Sequence, residues 1–424
     1  INLIKNNDFD PPELVIQDEL HLISGPLGTM VGLFENVLIK LMSFDKKTPK
    51  IIGASATLTF SDAQSKSLYR GRSSNIFPPQ VIDWEDSFFA KEREIDEEPG
   101  RMYMGFFGSA KGSMIESSVT AATPLLQSPQ DFLPITTNEV NRGDTSIFVS
   151  PGSSLKPGSS FTFYDGKEVL EFTIEDIKEI DQETETEELK QFEIVLSEPF
   201  TKELPVSATL YPSPTKKEMS FDPYGTLVWY FNSKRELAYM SNQVQAMESA
   251  LRRNAKTINK GKFGSITDGK LVRFSRKIKK IRELTGRRSQ DEIESILDLL
   301  NVPWTQTFRS PTDPTKGIDI LMATNMISVG VDIPRLGLML MHGQPKTTAE
   351  YIQASSRVGR RHPGLVLAIY NHGKSKDRSV YEMFKNYHQS IYKYVETVSV
   401  TPFSSGARKK GLAAVFASLV LSFG

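Results

Sequence analysis

Cysteine is absent from the 424-residue sequence. Its absence excludes disulfide bonds, thiolate nucleophiles and zinc sites built on thiolates. It also fits a reducing compartment, so we expect a cytoplasmic protein. Histidine is scarce as well: the sequence has five, and none of them is spaced as H-x-x-x-H. The sequence therefore predicts no zinc site.

An excess of charge of one sign is also missing, because 51 basic residues balance 51 acidic ones. Whole-protein charge therefore gives no argument for a nucleic-acid partner, and any such argument has to be local. Long apolar runs are missing too. The longest extends from Leu412 to Phe423, and its about 12 residues fall short of the ~20 needed to span a bilayer. We predict no membrane span.

The phosphate-binding pattern G-x-x-x-x-G-K-[ST] is a third missing feature. The nearest lookalike, Ser109 to Ser113, lacks its spacing. The sequence also opens at Ile1 with what reads as the middle of a domain, and it stops at Gly424 directly after an apolar run. We therefore expect a fragment of a longer polypeptide.

Two blocks of the sequence alternate apolar strands with helical periodicity, which predicts an α/β fold with doubly wound parallel sheets. In the first block we predict a strand over 13–17, a helix over 28–42 and a strand over 50–55. In the second block Ser233 is placed to cap a helix. The strands predicted for that block are 226–231, 318–323, 336–342 and 365–370.

Between these blocks, residues 124–215 consist of short β-like runs separated by Pro-Gly, Asp-Gly and Ser-Pro turns. This pattern predicts an inserted β-rich module. Its acidic stretch 165–193 has 12 acidic residues against three lysines and is interpreted as a solvated hairpin loop. The expected order is the C-terminal part of a first lobe (1–75), a connecting segment (76–123), the module (124–215), a second lobe (216–400) and the start of a C-terminal helical region (401–424).

Two adjacent acids, Asp18 and Glu19, follow the first predicted strand. The carboxyl ends of strands line the ligand crevice of an open parallel sheet. One carboxylate there can hold Mg²⁺ through its waters while the other orients or deprotonates an attacking water, as phosphoryl transfer requires. The competing interpretation is a solvated acidic pair, because D-E-x-H alone is a weak pattern.

Further polar residues follow later segments. Ser55 and Thr57 come after the second strand and could hydrogen-bond the carboxylates. Arg357 and Arg360 are three positions apart, which predicts that they lie on the same face of a helix. The guanidinium group of an arginine can contact two phosphate oxygens at once. Asp332 lies in a glycine-containing loop and could reach a ribose hydroxyl. Together these signals predict a nucleotide site.

In this order the segments resemble the motifs of superfamily 2 helicases and translocases. Those segments are Asp18 to His21 (motif II), Ser55 to Thr57 (motif III), Phe231 to Glu236 (motif IV), Thr324 to Pro334 (motif V) and Gln353 to Arg360 (motif VI). The resemblance covers both α/β blocks and implies RecA-like lobes with ATP between them and Mg²⁺ as cofactor. In these helicases the phosphate loop precedes motif II, which agrees with a fragment lacking its N-terminal part.

The resemblance also implies roles for single residues. Asp18 would coordinate Mg²⁺ through water, and Glu19 would be the catalytic base. Arg357 and Arg360 would be finger arginines. The other implied residues are a nucleotide-binding set (Gly330, Asp332 and Gln353, with Asp18), a coupling set (His21, Ser55 and Thr57) and a nucleic-acid set (Asn232, Arg287, Arg288 and Thr324).

Basic residues are concentrated between Arg252 and Arg288, where 14 Lys and Arg face two acidic residues. The end of this stretch lies where related helicases hold the strand backbone, so phosphate binding is one interpretation. A solvated basic helix is the other. We expect DNA, as a single strand or at a strand junction, to be the partner. The aromatic residues between Tyr381 and Tyr394 are interpreted as helix packing rather than as a base-stacking platform.

Within the superfamily, three short sequence segments, which begin at Gln17, Trp229 and Ser399, resemble the helicases of DISARM anti-phage systems. The resemblance implies an ATP-driven DNA helicase or translocase of bacterial defence, with a partner protein, although this fragment alone would lack a complete active site. The alternative is a degenerate helicase-like scaffold that binds nucleic acid or a partner without hydrolysis. A metal nuclease is disfavoured, because no third acid falls nearby at ligand spacing.

Overall fold

The structure is a computed structural model that describes most of the chain. The described residues are 12–23, 25–42, 48–55, 61–69, 72–77, 79, 88, 91, 100–108, 113–131, 135–150, 157–164, 169–180, 191–204, 210–212, 222–243, 247, 249, 251, 276, 278, 280–304, 317–328, 332–396 and 400–423. The chain divides into two compact units. Unit 1 contains residues 1–93, 347–349 and 389–424, and unit 2 contains 94–346 and 350–388.

Unit 1 has the predicted strand–helix–strand order. Strand β1 (Leu14–Gln17) pairs in parallel with β2 (Lys50–Gly53), and helix α1 (Gly25–Met42) lies between them in sequence. The unit also contains α2 (Ser61–Leu68) and α10 (Ser405–Phe423). Its buried core consists of Leu20, Ile39, Leu68, Tyr69 and Val400. In the described part of the chain, no helix is long and apolar enough to cross a membrane.

Unit 2 contains a six-stranded sheet in which every neighbouring pair is parallel, with the order β11-β12-β10-β13-β14-β3. All five residues of β10 and of β13 are buried, as expected for strands covered on both faces. The predicted α/β class is therefore confirmed. The strands are β3 (Arg101–Phe107), β10 (Leu227–Phe231), β11 (Ile281–Leu284), β12 (Ile320–Ala323), β13 (Leu338–His342) and β14 (Gly364–Tyr370).

Among the helices between residues 114 and 389, two begin at serine residues that cap them. Ser233 accepts a hydrogen bond from the backbone N–H of Glu236, which confirms the predicted cap. Ser289 and Glu292 form a reciprocal capping box at the next long helix. The helices are α3 (Met114–Asp131), α4 (Asp222–Gly225), α5 (Lys234–Ser241), α6 (Gln290–Asn301), α7 (Thr348–Ser355), α8 (Ser375–Glu382) and α9 (Phe384–Gln389).

The segment expected to be a connector contributes to the second sheet. Strand β3 pairs with β14 along its whole length, from Arg101 opposite Gly364 to Phe107 opposite Tyr370. Helix α3 packs on the same core through Ala122 and Leu126. The apolar and aromatic residues from Met102 to Phe107 are typical of a strand. The prediction of a connecting segment did not take this composition into account. The domain boundaries themselves stay predictions.

The inserted β-rich segment forms an antiparallel sheet with the order β4-β5-β8-β7-β6-β9. Its buried side chains include Ile147, Phe161, Phe172 and Ile194. The acidic stretch forms a hairpin of β7 and β8, and residues 181–190 lie outside the described residues. The strands are β4 (Ile135–Thr136), β5 (Ser146–Ser150), β6 (Ser160–Tyr164), β7 (Val169–Ile180), β8 (Gln191–Leu196) and β9 (Tyr211–Pro212).

Candidate functional site

The acidic pair lies in a tight turn directly after β1. Glu19 has φ 51° and ψ 44°, the left-handed region, and it is the one non-glycine residue with positive φ in the described part of the chain. Its backbone N–H donates to Asp18 Oδ1 at 2.8 Å. The next residue, Leu20, donates its N–H to Ala54 O at 2.9 Å. The turn is therefore fixed to the end of β2, and the strain at Glu19 is maintained by its surroundings.

His21 brings the acidic turn and the end of β2 together. Its Nδ1 lies 3.1 Å from Ser55 Oγ and 3.2 Å from Glu19 Oε2. The imidazole is nearly buried, with 8% of its side chain exposed, whereas 33% of the Glu19 side chain is exposed. Ser55 thus contacts the histidine that also meets Glu19, and its expected hydrogen bonds to the carboxylates stay a prediction. Thr57 lies outside the described residues.

The carboxylates of this turn suit a hard cation. Asp18 is exposed, and one of its oxygens is engaged by the Glu19 N–H. Among the described residues no group of three or more His, Cys, Asp or Glu side chains is arranged to hold a metal ion. Mg²⁺ fits such a site, because it is usually bound through one or two carboxylates together with waters and substrate phosphates. Asp18 is the residue that would hold it.

The arginines of the second block do not share a helical face, so that prediction is wrong. Helix α7 ends at Ser355, before both arginines. Gly359 follows with φ 70°, and its N–H donates to Leu336 O at 2.8 Å. Gly359 turns the chain away from the helical path, and its close packing requires a residue without Cβ. Arg357 and Arg360 therefore lie in a loop.

Arg360 is engaged within this loop. Its Nη1 donates to Asp332 Oδ1, and its Nε lies 3.3 Å from Ser356 O. Asp332, which was expected to reach a ribose hydroxyl, is thus an ion-pair partner of a predicted finger arginine. Both side chains keep exposed surface, 31% for Arg360 and 69% for Asp332. In water-accessible surroundings such a pair is weak, so a phosphate could replace the carboxylate.

The loop also contacts strand β3, which sequence reasoning missed. Arg101 Nε donates to Val358 O at 2.7 Å, and the Tyr103 hydroxyl lies 3.2 Å from Ser355 Oγ. These residues are more than 250 positions apart in sequence. The composition of residues 101–107 indicates a strand, but the sequence around these residues does not indicate that the strand pairs with β14 or contacts the loop after α7.

The other predicted nucleotide residues are less accessible. Gln353 is buried in α7, with 7% exposed. Thr324 is 4% exposed, and its hydroxyl lies 3.4 Å from Asn325 Oδ1. Gly330 lies outside the described residues. The roles of these three residues stay predictions.

Asn232 follows β10 and ties this strand to its neighbour. Its Nδ2 donates to the backbone O of His342, at the end of β13, at 3.1 Å. The His342 ring is buried, and its Nδ1 lies 2.8 Å from Ser118 Oγ. Because burial disfavours the charged form, the pKa of His342 is lowered to about 4. The ring is neutral at pH 7, and Asn232 has a structural contact besides its predicted nucleic-acid role.

The predicted phosphate-binding arginines differ from each other. Arg288 lies 3.2 Å from Glu292 Oε1 and 3.8 Å from Glu283 Oε2. Arg287 is exposed, and its side chain makes no ion pair or hydrogen bond within the described part of the chain. Most of the basic stretch, 252–275, lies outside the described residues. Arg287 is therefore the more available of the two for a phosphate.

A Gly-Lys-Ser tripeptide, residues 373–375, joins β14 to α8 in the order typical of phosphate loops. Here side chains of the same segment already accept hydrogen bonds from the backbone around the turn. The buried Asp377 accepts the N–H of Asn371 at 2.7 Å. Lys374 Nζ lies 3.4 Å from Glu236 Oε1. The Gly373 N–H donates to Asn371 Oδ1 at 2.8 Å, so the polar groups of this turn are engaged within the chain.

The aromatic cluster is mainly packing, as interpreted from sequence. Tyr387 is buried, Phe384 packs edge-on against Tyr370, and Tyr381 stacks on Phe107 with centroids 4.9 Å apart. Tyr392, in contrast, is 66% exposed.

Comparison with known proteins shows which proteins the chain resembles. Residues 242–362 match the family described as helicase conserved C-terminal domain. This match begins after the motif IV segment and covers the segments that resemble motifs V and VI, and it confirms the resemblance to superfamily 2 helicases.

The chain as a whole is similar to DISARM protein DrmA of Bacillus paralicheniformis. The two are 34% identical over 417 residues, which are 97% of this chain and 28% of DrmA. The chain therefore spans between a quarter and a third of this relative's length.

Solved structures with similar folds include DUF1998 helicase MrfA bound to DNA, at 14% identity and TM-score 0.48 over 95% of this chain and 35% of MrfA. Another is Mycobacterium smegmatis helicase Lhr bound to ssDNA and AMP-PNP, at 10% identity and TM-score 0.43 over 92% of this chain and 32% of Lhr.

Proposed function

We propose that this chain is part of an ATP-dependent DNA helicase or translocase of superfamily 2 that acts in bacterial anti-phage defence. The observation that carries the proposal is the constellation of Glu19, His21 and Ser55, formed by the residues that resemble motifs II and III. The match of 242–362 to a helicase domain and the similarity to DrmA support it. DNA, as a single strand or at a strand junction, and a protein partner in a defence complex are parts of this proposal.

The chemistry assigned to unit 1 is activation of water. Glu19 has an accessible carboxylate directly after a strand, so it can accept a proton from a water at the γ-phosphate. Asp18 would hold Mg²⁺, which neutralises developing charge on the phosphates when bound. His21 fixes the orientation of Glu19 through the contact at 3.2 Å and relates it to Ser55 at the end of β2.

The role assigned to unit 2 is binding of the negatively charged phosphates of ATP and of the nucleic acid. Arg357 and Arg360 would contact phosphate oxygens of ATP, for which the guanidinium fork is suited. Arg287, Arg288, Asn232 and Thr324 would contact the nucleic-acid strand, mainly through phosphates.

A second candidate is a helicase-like scaffold that binds DNA or a partner without hydrolysis. It is favoured by one observation: carboxylates of the chain already engage Arg360 and Arg288, through Asp332 and through Glu283 and Glu292. On this account these ion pairs are permanent, and Asp332→Asn would not change the affinity for ATP. If ATP displaces Asp332, the same variant changes the affinity for ATP.

The experiment that tests the proposal is Glu19→Gln in the full-length protein. We expect turnover of ATP to fall by roughly 10²–10⁴, because the amide keeps the geometry but accepts no proton. Binding of a fluorescent ATP analogue should remain. Glu13→Gln, an exposed acid just before β1, is the matched control and should hydrolyse ATP normally. Near-normal hydrolysis by Glu19→Gln would show that Glu19 is not the base.

A further inference from the structure

We propose that Arg101 is a positioning residue that fixes the loop carrying Arg357 and Arg360, and that strand β3 thereby belongs to the motif VI site. The inference rests on the proposed function, since it concerns arginines that would contact ATP. Its first observation is the hydrogen bond from Arg101 Nε to Val358 O, at 2.7 Å. Val358 lies directly after Arg357, so this bond fixes the backbone next to a predicted finger arginine.

The aliphatic part of Arg101 makes the second contact. A Cβ on Gly359 would lie 2.8 Å from Arg101 Cγ and 2.8 Å from Gly364 Cα. Since real Cβ atoms do not approach so closely, the loop packs against Arg101 and the first residue of β14 through a glycine. Gly359 is also bound through its N–H to Leu336 O. The backbone directly before Arg360 therefore has little freedom.

Tyr103 supplies a second anchor from the same face of β3. Residues two apart in a strand share a face, and the Tyr103 hydroxyl lies 3.2 Å from the fully buried Ser355 Oγ. Ser355 ends α7, so the loop is held at its beginning by Tyr103 and further along, at Val358 and Gly359, by Arg101. Arg357 lies between the two anchors.

Strand β3 is a suitable support because it is paired with β14 over seven residues. Groups placed on strands of a sheet are positioned more precisely than groups on loops. The arginines themselves lie on a loop, and contacts to β3 transfer the rigidity of the sheet to them. Arg101 is not assigned a contact with substrate.

The test combines hydrogen exchange with a double-mutant cycle in the full-length protein. We expect Arg101→Ala to speed amide exchange in peptides covering 355–361 and to lower ATP turnover by about 10²-fold, the size of effect that a misplacement of about 1 Å can have. In an Arg360→Ala background, Arg101→Ala should lower turnover by less than about 3-fold, because the two residues act as a unit. Arg101→Lys keeps the stem without the Nε donor and should give an intermediate exchange rate.

Met102→Ala is the matched control, because Met102 is the next residue, points to the other face and is 63% exposed. It should leave both readouts unchanged. Unchanged exchange at 355–361 in Arg101→Ala would overturn the inference, as would losses that add fully with Arg360→Ala. A wild-type protein without ATP turnover whose loop still exchanges faster in Arg101→Ala would overturn the proposed function and support the role of Arg101 in fixing the loop.

Discussion

Glu19 combines three properties at the scale of a single residue. Its backbone is left-handed, its carboxylate is partly exposed, and one oxygen lies 3.2 Å from His21 Nδ1. A left-handed conformation costs a non-glycine residue roughly 1–2 kcal/mol, so the fold stabilises a conformation that glycine would adopt more easily. Such a conformation is typical of functional turns, because it directs a side chain that an unstrained turn would direct elsewhere.

The two arginines at the start of α6 give a residue-scale prediction. Arg287→Ala should weaken single-stranded DNA binding equally for all sequences and reduce the salt slope of log K by about 0.7, the amount expected for one lost phosphate contact. Arg288→Ala should have the smaller effect, because Glu283 and Glu292 engage its guanidinium. Binding titrations at several salt concentrations measure both. An unchanged salt slope in Arg287→Ala would show that Arg287 makes no phosphate contact and would favour the interpretation of this segment as a solvated basic helix.

Burial of His342 gives a second residue-scale prediction. Its pKa is lowered to about 4, first by burial and then by Lys374, against an opposing effect of Glu236. The unfolded chain therefore binds the proton more readily, and the stabilising contribution is complete above pH 6.5 and is lost as pH falls toward 4.

Between pH 7 and pH 5 the free energy of unfolding should fall by about 2 kcal/mol from this residue alone. Urea titrations at both pH values measure the fall. In His342→Gln this contribution should be missing, so the variant should lose less stability than the wild type over the same range. Equal losses in the two proteins would show that His342 does not carry the dependence.

At the scale of elements, the capping box of α6 is the clearest stabilising feature. Ser289 accepts the Glu292 N–H at 3.3 Å, and the Glu292 carboxylate accepts the Ser289 N–H at 2.9 Å. Ser289→Ala should lower the free energy of unfolding by about 1 kcal/mol. Ser295→Ala, at an exposed position inside the same helix, is the control and should be neutral or slightly stabilising. Denaturant titrations compare them, and equal stability of the two variants would contradict the capping account.

Elements with strong local signals could be predicted from sequence. Strand β10 is a continuous apolar run followed by Ser233, and both the strand and the cap are found. The end of α7 could not be predicted in the same way, because its sequence is compatible with a helix through Arg360. What ends it is tertiary: Gly359 packs on Arg101 and Gly364, and its N–H bonds to Leu336 O. The contribution of β3 to the sheet also depends on pairing between residues distant in sequence.

For the candidate site the same distinction holds. Adjacent acids after a buried strand indicate the position of Asp18 and Glu19, and the structure places His21 between Glu19 and Ser55. Sequence does not reveal the ion pair of Arg360 with Asp332, because it depends on how two loops approach each other. The sequence likewise does not show that Arg288 is paired with acidic side chains while Arg287 is not paired in the described part of the chain.

At the scale of the whole molecule, the groups that we propose for phosphoryl transfer are divided between two units, each with its own core. Unit 1 carries the carboxylates and unit 2 carries the arginines. The sequence contains no G-x-x-x-x-G-K-[ST] pattern, and the polar groups of the Gly-Lys-Ser turn at 373–375 are engaged within the chain. We therefore predict that the 424-residue chain alone releases phosphate from ATP at the background rate.

The most direct measurement is phosphate release from ATP by the full-length protein, with and without single-stranded DNA. The account predicts hydrolysis that DNA stimulates and that Glu19→Gln reduces to near background, while Glu13→Gln behaves as the wild type. Absence of hydrolysis in the presence of DNA, or hydrolysis that persists in Glu19→Gln, would contradict the assignment of Glu19 as the base of an ATP-driven helicase.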